Sequence, residues 1–101
     1  MERAFSQEAV KVFKALSDPI RYEIVRMLLL EEELGCGDFD CVFSKSKPAM
    51  SHHYRVLENA GLVASRKDGI RVYYRLERDR LDRFLPQFFE VHCQSACRDV
   101  E

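Results

Sequence analysis

The chain has 101 residues, 47% of them hydrophobic and 33% charged, with 16 basic and 17 acidic side chains and a formal net charge of −1. That length accommodates one small domain spanning residues 1–101, and the apolar fraction excludes intrinsic disorder. No run approaches the roughly 20 apolar residues that cross a bilayer, and the start at Met1–Glu8 lacks the basic and then apolar segments of a secretory signal; a cytoplasmic protein with no membrane partner is expected, its 4 cysteines being thiols or metal ligands and not a disulfide framework.

Ala9, Val12, Phe13 and Leu16 recur at helical spacing and predict a first helix from about Ser6 to Leu16. Asp18 has the chemistry of an N-cap, and Pro19 sits where a missing N–H costs nothing, so a second helix is predicted from there to about Leu30. Its buried face is Ile20, Ile24, Met27 and Leu28. The stretch Glu31 to Gly37 holds three glutamates and two glycines, which favour a loop. A short third helix is expected around Asp38 to Phe43, followed by a turn at Ser44-Lys45-Ser46. Ser46 caps a fourth helix, about 46–60, with Met50, Leu57 and either His53 or Tyr54 facing inward and Gly61 as its left-handed stop.

After Gly61 the hydrophobic period changes from that of a helix to that of a strand. Leu62–Lys67 and Ile70–Leu76 flank Asp68-Gly69, a preferred two-residue turn signal, and predict a hairpin over about 62–76. Val72, Tyr74 and Leu76 point one way; Arg71, Tyr73 and Arg75 point the other. The last helix, about 78–98, carries Leu81, Phe84, Leu85, Phe88, Phe89 and His92, with Pro86 kinking or restarting it. The fold class is therefore mainly α with a small β-hairpin.

Near-neutral net charge conceals a strong segregation. Residues 1–44 carry 5 basic and 9 acidic side chains, residues 45–80 carry 9 and 4, and residues 81–101 carry 2 and 4. The middle third is a basic module between acidic ends, the electrostatic footprint of a surface that meets phosphates. Helix, turn, helix and hairpin is the order of a winged helix-turn-helix, whose second helix enters the major groove of duplex DNA. Lys47, Ser51, His52 and Arg55 lie on one helical face, with no carboxylate before Glu58, and Arg66, Lys67 and Arg71 lie on the wing. The free N–H groups at the start of that helix, next to Lys45, suit a phosphate.

Three stretches carry a family resemblance: Ala15-Leu16-Ser17-Asp18-Pro19-Ile20-Arg21, Pro48 through Val63, and Gly69 through Leu76. In this order and spacing the chain resembles the ArsR/SmtB family of bacterial repressors over nearly its whole length. The resemblance implies a homodimeric winged helix-turn-helix that binds a palindromic operator and releases it when an effector arrives. It places Lys47, Ala49, Ser51 and His52 where the family reads the major groove, and residues 66–71 on its wing. Independently, Phe5, Phe13, Phe84, Phe88 and Phe89 give the terminal helices more aromatic surface than one small core needs, so about half of it is expected in a two-fold interface.

The cysteines are the candidate sensors. The arsenic-responsive branch of the family has a Cys-x-Cys-Asp-Leu-Cys run where this chain reads Gly35-Cys36-Gly37-Asp38-Phe39-Asp40-Cys41, so that ligand set does not carry over. On a regular helix Cys36 and Cys41 would point roughly 140° apart, and small buried hydrophobes are the simpler expectation for them. Cys93 and Cys97, four residues apart, share a helical face and can hold one soft metal or metalloid together or react with an oxidant or reactive sulfur species, with His92 and Arg98 nearby. Two thiols do not complete a tetrahedral site. Asp82, Glu90 and His92 do not reproduce the carboxylate and histidine pattern of the zinc-responsive relatives, and the adjacent His52 and His53 point too far apart to share an ion. No certain cofactor is expected. With no phosphate loop, no paired catalytic carboxylates and little room for a closed pocket, the chain reads as a regulator and not an enzyme; the alternative is a winged-helix module that binds an acidic protein without reading DNA.

Overall fold

The computed structural model describes residues 2–93, and side chains from Phe5 onward. The elements in chain order are α1 (Glu2–Leu16), α2 (Pro19–Leu30), β1 (Leu34–Gly35), α3 (Cys36–Asp40), α4 (Lys47–Asn59), β2 (Val63–Asp68), β3 (Arg71–Leu76), α5 (Arg78–Phe84) and α6 (Phe88–His92). The elements pack around a core that includes Val12, Ile24, Leu28, Phe39, Leu57, Leu62 and Leu81, all 0–1% exposed. The winged helix-turn-helix is formed by α3, α4 and the β2–β3 hairpin.

Local chemistry explains most boundaries. The Asp18 carboxylate accepts from the backbone N–H of Ile20 at 2.9 Å and of Arg21 at 3.1 Å, satisfying two of the orphan donors that open α2. Ser46 Oγ accepts from the Ala49 N–H at 3.3 Å and opens α4. That helix closes in a Schellman motif: Leu62 N–H donates to the Leu57 carbonyl at 3.0 Å and Gly61 N–H to the Glu58 carbonyl at 2.9 Å, with Gly61 at φ 76°.

Five expectations change. The first helix begins at Glu2 instead of Ser6. The third helix runs over Cys36–Asp40 and not Asp38–Phe43, because the Asp38 carboxylate reaches back to accept from the Gly35 N–H at 2.8 Å and starts the helix early. Leu34 and Gly35 form a third strand, pairing with Tyr74 and Tyr73, so the sheet order is β1-β3-β2. Gly35 permits this approach: a Cβ there would lie 3.2 Å from the Tyr73 ring.

The hairpin turn is Gly69-Ile70, one residue later than Asp68-Gly69, since Asp68 pairs with Arg71. Gly69 has φ 65° and Ile70 does not have positive φ, the pattern of a type II′ turn; β-branched Ile70 disfavours the alternative that needs both positive. Lys67 consequently pairs with Val72, two places from Ile70, and a shift of two preserves which side chains face inward. Tyr74 and Leu76 are buried and Arg71 and Arg75 exposed, as their alternation predicts.

Pro86 divides the C-terminal segment into α5 and α6, with Gln87 between them at φ 64°. The segment 78–98 is thus not one continuous helix within the described residues, and Cys97 and Arg98 lie outside them.

Candidate nucleic-acid interface

Two groups of cations predicted separately are exposed on neighbouring elements, α4 and the hairpin whose β2 packs against it. On α4, Lys47, Ser51, His52 and Arg55 are exposed, with Lys45 exposed just ahead of the helix and Ala49 half-buried in its first turn. On the hairpin, Lys67 and Arg71 are exposed near the tip, where Ile70 is fully exposed. Among the described residues Lys45, Lys47, Arg55, Lys67 and Arg71 form no ion pair with a carboxylate. Their charges therefore remain available to phosphates and base edges.

Arg66 differs from its neighbours. Its Nε and Nη2 donate to the two carboxylate oxygens of Glu33, each at 2.7 Å, and its guanidinium lies 4.6 Å from the centre of the Tyr73 ring. The guanidinium holds the Glu33 carboxyl below the ordinary carboxylate range. Sequence places Arg66 among the wing cations but gives no sign of this partner, which comes from the loop 33 residues earlier.

The inner face of α4 is set by Met50, Tyr54 and Leu57, all buried. Tyr54, not His53, takes the core position, its ring stacked on Tyr74 with centroids 4.5 Å apart. His53 lies half-buried against α2: Arg21 Nη1 is 3.1 Å from His53 Nδ1, and the Asp18 carboxylate is 3.7 Å from the same nitrogen. Burial, together with the charges of Arg21, His52 and Lys45, holds the His53 pKa below its ordinary value against the pull of Asp18. Arg21 also donates from Nε to the Ala15 carbonyl at 2.7 Å. This positioning role was not visible in the spacing of Arg21.

The comparisons with known proteins bear on the same segments. A family model described as "Bacterial regulatory protein, arsR family" matches residues 18–65. An uncharacterised HTH-type transcriptional regulator, YceK of Bacillus subtilis, is 37% identical over 92 residues, covering 90% of this chain and 92% of its own.

The chain belongs to the ArsR family.

As a member of the ArsR family it is a DNA-binding transcriptional regulator; its relatives are named as regulators, which sets it apart from enzymes. An arsenical resistance operon repressor from Staphylococcus xylosus is 38% identical, covering 94% of this chain and 93% of its own. The solved structure of HlyU from Vibrio cholerae superposes with a TM-score of 0.77 at 32% identity, over 93% of this chain and all of that one.

The candidate thiols of this ArsR-family chain are scattered. Cys41 is exposed at the end of α3, Cys36 is half-buried at its start, and Cys93 is buried at the end of α6. Cys36 and Cys41 are thus not the fully buried small hydrophobes expected. Among the described residues no group of three or more His, Cys, Asp or Glu side chains is placed to hold a metal ion, and no helix is long and apolar enough to cross a membrane. His92 Nδ1 is engaged by the Tyr22 hydroxyl at 2.7 Å, with its ring stacked on Phe88.

Proposed function

We propose that the chain is a homodimeric repressor that reads a palindromic operator through α4 and the wing. The unpaired cations of Lys45, Lys47 and Arg55 at and ahead of α4, whose opposite face is locked into the core, and of Lys67 and Arg71 near the wing tip carry this reading. Lys47, Ala49, Ser51 and His52 lie toward base edges, and Lys67 and Arg71 toward the flanking backbone, with Arg66 joining them when it leaves Glu33. Dimerisation is supported by the apolar surface of the terminal helices: Phe5, Phe13 and Phe89 are 43%, 52% and 36% exposed, whereas Phe84 and Phe88 fill the core. A two-fold dimer presents its recognition helices about 34 Å apart, one DNA turn.

Release of the operator by a thiol-directed effector, a soft metal or metalloid or a reactive sulfur or oxidising species, is the regulatory part of the proposal. The candidates are Cys36, Cys41, Cys93 and Cys97; relatives named for cadmium and arsenical resistance support that class of effector. Cys93 and Cys97 alone do not complete a tetrahedral site; a third or fourth ligand would have to come from Cys36, Cys41, His92 or the second subunit of the dimer.

Fluorescence anisotropy against the DNA upstream of the gene, beside a scrambled duplex, tests the core of the reading. Salt-sensitive binding with a clear preference for one inverted repeat is expected, and equal affinity for both duplexes rules out sequence-specific reading. Phe13→Glu should shift sedimentation from dimer to monomer and weaken operator binding. An unchanged response to arsenite, persulfide donors and peroxide in a variant with all four cysteines replaced by serine would reject thiol sensing.

A further inference from the structure

Residues 65–71, which are the end of β2, the turn and the start of β3, are all exposed, so the tip of the hairpin stands clear of the core. At that tip Ile70 is 100% exposed, whereas the next most exposed large apolar side chains among the described residues, Leu30 and Val91, reach 58%. Single apolar side chains on a surface are ordinary; this one is set apart by its place in the chain. It holds the second central position of the turn that Gly69 opens at φ 65°, where Asn, Asp or Ser is the usual choice and a β-branched residue is not. A residue that turn chemistry disfavours and that the core does not use points to a contact outside the chain.

The neighbours of Ile70 say what kind of contact. Lys67 and Arg71 flank the tip, both exposed and without an ion pair among the described residues, against the single carboxylate of Asp68. Ile70 gains by meeting an apolar surface and the two cations by meeting anions, so the partner offers an apolar surface bordered by anionic groups. Duplex DNA has this arrangement in its stacked base faces between two phosphate backbones. Because β2 packs against α4, a tip beside a helix that fills the major groove addresses the adjoining minor groove.

We propose that Ile70 is a wedge: the wing tip enters the minor groove beside each half-site, and the Ile70 side chain slides between two neighbouring base pairs and partly unstacks them, with Lys67 and Arg71 on the flanking phosphates. An aliphatic wedge kinks the duplex toward the major groove, and unstacking costs least at a pyrimidine–purine step such as TA or CA. Ile70 thereby adds sequence preference outside the bases that α4 reads, through deformability and not through hydrogen bonds. Branching at Cβ suits this task, since χ1 is already restricted and little rotamer freedom is lost on insertion. The wedge rests on the reading of α4 and the wing as the DNA-binding face.

The test places aminopurine, a fluorescent base whose emission rises when it is unstacked, singly at each step flanking the inverted repeat that the full chain binds upstream of its gene. Binding should raise the emission at one flanking step in each half-site. Ile70→Ser, which restores a favoured turn residue, should keep its melting temperature and the slope of log affinity against log salt, because no charge is lost. It should lose the emission signal and bind about tenfold more weakly, the lower end of what burying one isoleucine provides. Replacing the wedged TA or CA step by GC should weaken binding of the unmodified chain and leave Ile70→Ser unaffected. The wedge is overturned by binding without any rise in emission, by a rise that persists in a folded Ile70→Ser, by equal affinity of the two proteins, or by an affinity that the GC replacement leaves unchanged. Equal affinity for operator and scrambled duplex counts against sequence-specific reading alone, since aminopurine at TA and CA steps of the scrambled duplex still reports the wedge. Absence of binding to any duplex removes the DNA-binding reading and the wedge with it.

Discussion

Arg21 Nη1 lies 3.1 Å from His53 Nδ1, joining the first turn of α2 to the middle of the recognition helix. A guanidinium can only donate, so Nδ1 accepts and the neutral imidazole carries its proton on Nε2. The same guanidinium bonds the carbonyls of Ala15 at 2.7 Å and Lys14 at 3.3 Å, so one side chain fixes the end of α1, the start of α2 and the seating of α4.

Arg21→Ala should therefore act on affinity without acting as a lost phosphate contact. It removes the donors to His53 and to two helix-end carbonyls, at a cost of about 1–3 kcal/mol in urea unfolding. Operator binding should weaken while the slope of log affinity against log salt stays unchanged, since the number of phosphates neutralised is the same. A reduced slope would place Arg21 at the DNA itself.

The depressed His53 pKa gives a pH window. The unfolded chain binds this proton below about 6.5 while the folded chain still resists it, so the stabilisation is fully present above 6.5 and is lost as pH falls through the interval below. Asp18, whose pKa is lowered, contributes in a different window: its stabilisation is present above about 3.8 and is lost below. Burial pushes Asp18 up, but the backbone N–H groups of Arg21 and Ile20 and the nearby cations outweigh it. Urea midpoints for the parent chain should fall between pH 7 and pH 5, and those of His53→Gln should be flatter over the same range.

The cations of the interface separate by their present partners. Lys47→Ala, Arg55→Ala and Arg71→Ala should each cost about 1–3 kcal/mol of operator affinity where the side chain meets a base, or reduce the salt slope by about one where it meets a phosphate. Glu33→Gln should do the reverse. It releases Arg66 from its two 2.7 Å bonds and adds one available charge to the wing, so affinity for any duplex should rise at low salt. A titration against scrambled DNA reads this directly; unchanged affinity would mean that Arg66 does not approach the backbone.

Gly61 ends the recognition helix at φ 76°, and a Cβ there would come within 2.4 Å of Arg80 Nε, which donates to the Ala60 carbonyl at 2.8 Å. Gly61→Ala should destabilise the fold by about 1–3 kcal/mol through left-handed strain and loss of the Arg80 contact. Gly37, with open space around it, is the control: Gly37→Ala should leave the melting temperature unchanged or raise it.

The caps at Asp18 and Ser46, the stop at Gly61 and the alternation through Tyr74 and Leu76 were legible in the sequence because each acts within a few residues of itself. They establish the order of helices and hairpin, and the segregation of charge marks out the basic segment proposed to meet DNA. What the chain could not disclose alone depends on distant partners. Leu34 and Gly35 are too short a run to register as a strand until β3 lies beside them. Arg66 reads as one more wing cation until Glu33 is folded against it. Tyr54 and His53 have similar claims to the inner face of α4, and only the packing of Tyr74 and the approach of Arg21 separate them. Cys36 carries no motif, yet the folded chain sets it between the wing root and the recognition helix. Short-range hydrogen bonding and periodicity thus determined the elements, while contacts across tens of residues decided which charges stay free.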